Sequence, residues 1–177
     1  MDELNELIQK AQKGDQEAYG QIYRIFYRRI FRYCQFNTNN KNAAQDICQE
    51  TFLKAWKALP KFQKKGGSLQ AYLFKIARNL IIDASRKKKE ERLENYQNVE
   101  SDVDFEEQLE RKQNVANVRN VLKTLDDVEK QIIVLRYFED LSQREVATVI
   151  GIKEGNLRVR THRILKKLKI KLEEKYE

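Results

Sequence analysis

The chain has 177 residues, with 35 Lys and Arg against 27 Asp and Glu, a net charge of +8 at pH 7 and a mean hydropathy of −0.77. No apolar run approaches the roughly 18–20 residues that span a bilayer, and Met1-Asp2-Glu3-Leu4-Asn5 lacks the basic and apolar segments of a secretory signal. Two cysteines cannot staple a disulfide scaffold, and six Gly with one Pro are too few for the turns of a sandwich or barrel. The expectation is an all-α protein in a reducing cytoplasm.

In chain order, Leu4, Leu7, Ile8 and Ala11 share one helical face. Gly14-Asp15 ends that helix and caps the next, whose inward stripe is Ala18, Ile22, Ile25/Phe26, Ile30 and Tyr33. Asn37-Thr38-Asn39-Asn40 breaks the pattern. A third helix is expected to open at Asn42, with Gln45 three residues on in the manner of a capping box. Its stripe is Ala44, Ile47/Cys48, Thr51/Phe52, Ala55/Trp56 and Leu59, which leaves Asp46, Gln49, Glu50, Leu53, Lys54 and Lys57 largely on the other side. One exposed leucine among acids and amides is, on spacing alone, an ordinary solvated face. Cys34 and Cys48, on neighbouring helices, read as small buried apolar residues rather than a redox pair.

Pro60 stops the third helix, and a basic loop comes next that includes Lys61, Lys64, Lys65, Gly66 and Gly67. Ser68 is placed to cap a fourth helix reaching Arg86, with Leu73, Ile76/Ala77, Leu80 and Ala84 toward a core. Lys75, Arg78, Asn79 and Arg86 lie on another sector, near Tyr72. Cations that hold a backbone, an amide that reads a base edge and an aromatic that stacks are the parts of a single-strand binding surface. Taken singly, Tyr72 and Phe74 read as core.

Charge divides the chain. Lys61–Arg92 holds ten Lys and Arg against three acids, Leu93–Glu110 seven acids and no Lys or Arg, and Gly151–Leu172 eight Lys and Arg against one acid. The acidic stretch reads as a linker over 93–113 between domains at 1–92 and 114–177, and its charge is expected to compete with nucleic acid for the basic surfaces.

In the second domain Val115, Val118, Val121/Leu122 and Leu125 form one short helix. Asp126-Asp127-Val128-Glu129 starts the next, with Ile132, Ile133, Leu135 and Tyr137 inside. Ser142-Gln143-Arg144-Glu145 is a full capping box, Val146, Ala147 and Ile150 continue that helix, and Gly151 supplies the turn. A last helix from about Glu154 to Lys171 buries Leu157, Ile164/Leu165, Leu168 and Leu172, and presents Arg158, Val159, His162, Arg163 and Lys166. A short capped helix, a glycine turn and a basic amphipathic helix is the layout of a helix-turn-helix. Arg158 and Arg163 suit either guanine edges or phosphates, Val159 a thymine methyl, and His162 a phosphate or base contact.

Together the halves resemble a bacterial RNA polymerase sigma factor of the extracytoplasmic-function (ECF) group. Asp46-Ile47-Cys48-Gln49-Glu50-Thr51-Phe52 looks like the D-x-x-Q-E-x-F segment of region two. Tyr72-Leu73-Phe74-Lys75-Ile76-Ala77-Arg78-Asn79-Leu80-Ile81-Ile82-Asp83 is similar to its W-L-x-x-I-A-R-N-x-x-x-D helix. Gly155-Asn156-Leu157-Arg158-Val159-Arg160-Thr161-His162-Arg163 looks like the G-T-V-K-S-R-x-H-R stretch of region four. Tyr72 stands for the usual tryptophan, Leu69-Gln70 for Phe-Arg, Asp126 for a proline and Val159 for a serine.

The resemblance implies core RNA polymerase, promoter DNA and an anti-sigma factor as partners, with no catalytic residue, metal or cofactor. It implies core-polymerase binding by Asp46, Gln49, Glu50 and Leu53, against clamp helices of the largest catalytic subunit. It implies minus-ten DNA contacts by Lys64, Lys65, Tyr72, Lys75, Arg78, Asn79 and Arg86. It implies minus-thirty-five contacts by Ser142, Asn156, Arg158, Val159, Arg160, His162, Arg163 and Lys166. The residues alone leave open an ordinary helix-turn-helix regulator. A small nuclease is disfavoured by a single histidine and the lack of a clustered metal-ligand motif or a nucleotide-binding glycine loop.

Overall fold

The computed structural model describes residues 2–38, 40–63, 67–94, 122 and 124–176, with side chains at these positions except 2, 91–94 and 172–176. The chain divides into two compact units, Met1–Ser101 and Asp102–Glu177. Of the linker expected at 93–113, residues 93 and 94 belong to a helix that runs on to Glu94, past the expected end at Arg86, and 95–113 lie outside the described residues. So do most of the short helix expected from Val115, the acidic competition, Lys64, Lys65 and Gly66.

The first unit consists of α1 (Asp2–Gln12), α2 (Gln16–Asn37), α3 (Lys41–Ala58), a 3₁₀ turn (Leu59–Lys61) and α4 (Leu69–Glu94). Gly14 takes φ +92°, a left-handed backbone that glycine adopts without a Cβ clash. Asp15 caps α2 by accepting from the Ala18 amide at 3.0 Å. The cap of α3 is Asn40 rather than Asn42: its carboxamide oxygen accepts from the amides of Asn42 at 2.7 Å and Ala43 at 3.3 Å. Both asparagines have the chemistry, but Asn40 has the extended backbone a cap needs and Asn42 is already helical. Ser68 caps α4, accepting from the Ala71 amide at 3.1 Å.

The core forms where the stripes of α2, α3 and α4 meet. Ile22, Ile30, Tyr33, Cys34, Ala44, Cys48, Leu59, Leu73, Phe74 and Ala77 are all but inaccessible, and Tyr33 meets Phe74 edge-on at 5.3 Å. Of the pair Ile25/Phe26, Phe26 goes inside and Ile25 remains 48% exposed. In α4, Ala84 is exposed and Ile81 is the last buried residue among those described, so the helix outruns the core it helps to form.

The second unit contains α5 (Asp127–Ile133), a π turn (Val134–Phe138), α6 (Gln143–Ile150) and α7 (Glu154–Tyr176). Capping boxes start α5, between Asp126 and Glu129, and α6, between Ser142 and Glu145. The π turn overturns one expectation. The extra residue that an i→i+5 turn inserts rotates the side chains beyond it about the helix axis. Val134 and Leu135 are buried, while Tyr137, expected inside, is 49% exposed. Leu165 is also outside rather than in the stripe, leaving Leu157 and Ile164 as the fully buried anchors of α7. Lys167 ties α7 to α5 through Glu129 at 2.8 Å.

Gly151 closes α6 at φ +80°, with its amide on the Ala147 carbonyl at 2.8 Å and no atom near a built Cβ. Substitution there is strained by backbone conformation alone. Gly151→Ala should lower stability by about 1 kcal/mol in urea unfolding, and Gly151→Asn by less. Burial holds the Cys34 thiol well above its ordinary range and pushes Cys48 up to about 12. Both thiols should therefore resist alkylation in the native chain at neutral pH and react after denaturation.

Candidate polymerase and nucleic-acid interfaces

Once α3 turns its apolar stripe inward, the remaining side chains form a narrow polar strip. Asp46 and Gln49 are exposed, and Glu50 is half-exposed with a loose pair to Lys54 at 3.8 Å. Leu53, 47% exposed, ends this strip at the rim of an apolar groove of about 270 Å³ formed with Gln16, Tyr19, Phe52 and Trp56. The structure thus brings all four expected residues of this surface onto one face and adds Tyr19 and Trp56. The Tyr19 and Trp56 rings lie 4.6 Å apart, and the Tyr19 hydroxyl donates to the Phe52 carbonyl. Burial raises the Tyr19 hydroxyl above the ordinary phenol range, so it remains a donor at neutral pH. Tyr19, Tyr23, Tyr27 and Phe31 recur every four residues along α2. That spacing was the available sign of an aromatic seam, continued by Tyr23 on Phe52 at 4.6 Å.

The second surface is on α4. Lys75, Asn79 and Arg86 are exposed, whereas Tyr72 and Arg78 are half-buried. Tyr72 leans on Phe62, ring centroids 5.1 Å apart, so the aromatic is braced with part of its surface still accessible. Arg78 sits at the border of the core, where its charge acts on the buried Tyr33 hydroxyl, whose ionisation burial opposes. Gln12, unmarked by any sequence pattern, anchors the chain entering the basic loop: its amide donates to the carbonyls of Leu59 at 3.2 Å and Phe62 at 2.8 Å. Arg29 of α2 donates to Gln70 at 3.0 Å, fixing the first turn of α4 from the side. Of the expected residues, Lys64 and Lys65 lie outside the described residues.

The third surface is α7. Leu157 and Ile164 face inward, and Asn156, Arg158, Val159, Arg160, His162, Arg163 and Lys166 are all exposed. At about 100° per residue, Val159, His162 and Lys166 point away from the buried line, Arg158 and Arg163 flank them on opposite sides, and Arg160 lies nearest the buried line. Arg158 and His162 line a groove of about 240 Å³ with Tyr137, Gln143 and Leu165. Ser142 is committed to its capping box, its hydroxyl and amide both held by Glu145. Among the described residues no group of three or more His, Cys, Asp or Glu is placed to hold a metal ion, and no helix is long and apolar enough to cross a membrane.

Two helical units, the second with a capped helix-turn-helix, and polar faces segregated by charge define a class of transcription protein, and comparison with known proteins agrees. Sigma-70 region 2 matches residues 22–91 and sigma-70 region 4 matches residues 121–169. The chain belongs to the sigma-70 family, and within it to the ECF sigma factors. It is 30% identical over 171 residues to the ECF RNA polymerase sigma factor BldN of Streptomyces coelicolor, covering 93% of this chain and 64% of that protein. It is 29% identical over 172 residues to the ECF RNA polymerase sigma factor SigW of Bacillus subtilis, covering 90% and 91%. Among solved structures it is similar to CnrH in complex with the cytosolic domain of CnrY, with a TM-score of 0.73, 25% identity and coverage of 94% and 95%. The fold alone is also shared with the sigma factor RpoE of Bartonella quintana, solved with the anti-sigma factor NepR, at a TM-score of 0.78, 21% identity and coverage of 88% and 96%.

The Gln12 contacts give a test of how the loop is held. Gln12→Ala takes the side-chain donor from the Phe62 carbonyl and leaves the Leu59 carbonyl with the Phe62 amide alone, which should lower stability by about 1 kcal/mol in urea unfolding.

Proposed function

We propose that the chain binds core RNA polymerase and directs it to promoters, recognising the minus-thirty-five duplex with its second unit and the melted minus-ten strand with its first. The supporting observation is segregation. One chain carries an acidic and amide strip beside an apolar groove on α3, and separate basic faces on α4 and α7. Domain limits of 1–92 and 114–177 around an acidic linker at 93–113 suit this division.

Asp46, Gln49, Glu50 and Leu53 meet polymerase, with Tyr19 and Trp56 widening the apolar part. Tyr72 stacks on an unpaired base, Asn79 reads its edge, and Lys64, Lys65, Lys75, Arg78 and Arg86 hold the strand. A flipped base costs a few kcal/mol, which stacking and pocket contacts offset. On α7, Val159, His162 and Lys166 face the bases, with Asn156, Arg158 and Arg163 flanking them, and Arg160, nearest the helix's buried side, takes a phosphate. Ser142 acts at the same surface by holding the start of α6. Each unit raises the other's effective concentration on the promoter, so two modest sites act as one. The chain supplies address and strand capture and is not itself an enzyme. It works in the cytoplasm, without a cofactor, and an anti-sigma factor is its expected antagonist. The match to region 2 tells against an ordinary helix-turn-helix regulator.

Charge reversal at Asp46 and Glu50 should weaken polymerase binding at least tenfold, measured by fluorescence anisotropy, and leave duplex affinity of the chain unchanged. Asn79→Ala should impair open-complex formation in a permanganate assay with core binding intact; loss of core binding instead would contradict the division of faces. Val159→Ala should relax base preference at one position, whereas Arg160→Ala should weaken all sequences alike and flatten the salt slope by about 0.9.

A further inference from the structure

One groove of the first unit is lined by no residue assigned above to polymerase or DNA. It lies between α1 and α2, has a volume of about 530 Å³, and is lined by Glu3, Leu4 and Leu7 on one side and Gln21, Arg24 and Ile25 on the other. Its floor is apolar: Leu7 is buried, Leu4 half-buried and Ile25 exposed. Its rims carry opposite charges, Glu3 on α1 and Arg24 on α2. Arg28, also exposed, continues the α2 rim about 6 Å further along the helix. We propose that this groove docks a short amphipathic helix of a protein partner. That helix lays apolar side chains between α1 and α2, sets carboxylates on Arg24 and Arg28 and a cation on Glu3, and stays bound while α3 engages polymerase. Only the simultaneous binding depends on the polymerase reading above.

The rim charges are not spent within the chain. Among the described residues neither Glu3 nor Arg24 nor Arg28 makes an ion pair, whereas Glu6 is held by Lys10 at 2.8 Å. Glu3 and Arg24 border the same groove without reaching each other, so each is open to a partner's charge. A helix seated between them needs a cation on one flank and carboxylates on the other, which fixes its direction as well as its place. At about 100° per residue, Gln21, Arg24, Ile25 and Arg28 share a sector of about 100° on α2. The centre of that sector lies about 170° round the helix from Tyr19 and Tyr23, which meet Trp56 and Phe52 of α3. A helix in the groove therefore leaves Asp46, Gln49, Glu50 and Leu53 uncovered.

The same features disfavour other occupants. A nucleic-acid backbone would bring phosphates against the Glu3 carboxylate and gain nothing from an apolar floor. A membrane surface needs apolar side chains that stand proud of the charges around them, whereas Leu4 and Leu7 lie between charged rims. A helix in a groove needs what is present, an apolar seam with charges along its edges.

The probe is a synthetic helical peptide of about five turns, with leucines along one seam, glutamates on one flank and lysines on the other, followed by fluorescence anisotropy. It should bind the full chain saturably, and R24E/R28E should weaken it at least tenfold. A peptide with the same seam and lysines on both flanks should reverse the order, binding R24E/R28E more tightly than the native chain. Core polymerase should leave the first peptide bound, and R24E/R28E should bind core as the native chain does. Absence of saturable binding, or equal affinity for the native chain and R24E/R28E, would overturn the proposal. So would phosphatidylglycerol vesicles binding the native chain through Arg24 and Arg28, or self-association of the chain lost in R24E/R28E, since these give the groove to lipid or to a second copy. Displacement of the peptide by core, or a crosslink from a photoreactive side chain at Gln21 to a polymerase subunit, would assign the groove to polymerase and leave the sigma-factor reading standing. Failure of the native chain to bind core would instead overturn that reading, and with it the simultaneous binding.

Discussion

Each helix in this molecule buries one apolar stripe, and that constraint decides what every other side chain is free to do. On α3 the inward turn of Ala44, Ile47, Cys48, Thr51, Phe52 and Ala55 leaves Asp46, Gln49 and Leu53 no place but the surface. On α7 the burial of Leu157 and Ile164 turns Val159, His162 and Lys166 outward in the same way. The faces proposed to act on polymerase and DNA are therefore the complement of the core. The hydrophobic term that folds each unit, about 25 cal/mol per Å² of apolar surface removed from water, also fixes the angle at which charges meet DNA or polymerase. Function then requires only that the leftover faces differ in chemistry, as they do: on α3 Asp46 and Glu50 are balanced by Lys54 and Lys57 beside Gln49 and Leu53, whereas α7 presents a net positive face.

Small polar contacts refine what the stripes set. The Gln12 amide on the Leu59 and Phe62 carbonyls and the Arg29 contact with Gln70 join helices distant in sequence around the start of α4. They brace the loop and first turn beside Tyr72, where a captured base would need a rigid support. In the second unit the two capping boxes and the left-handed Gly151 hold the angle between α6 and α7. A recognition helix reads bases only while its scaffold keeps it at a constant depth in the groove.

Much of this was legible in the chain because it is local. Asp15, Ser68, Ser142 and Gly151 act within three or four residues of themselves, and their chemistry names their role. The stripes of α1, α2 and α3 follow from the helical period, whereas of the stripe expected on α4 only Leu73 and Ala77 are fully buried, with Phe74 and Ile81 inside and Ala84 exposed. The misreadings have nonlocal or competing causes. Asn40 and Asn42 are both competent caps, and only backbone conformation chooses between them. Tyr137 moves outward because the π turn inserts a residue into a period assumed to be uniform. Tyr19, Trp56 and Gln12 join the proposed surfaces through partners 33 to 50 residues away, visible only after folding.

If the division of faces is right, DNA specificity belongs to the chain together with polymerase and not to the chain alone. The most direct measurement is the ratio of promoter to non-promoter affinity, taken at one salt concentration for the free chain and for the chain with core polymerase. The free chain should bind both DNAs weakly, with a ratio near one, and the ratio should rise by orders of magnitude when core is added. A free chain that discriminates as well as the holoenzyme would contradict this mechanism and identify a stand-alone regulator in its place.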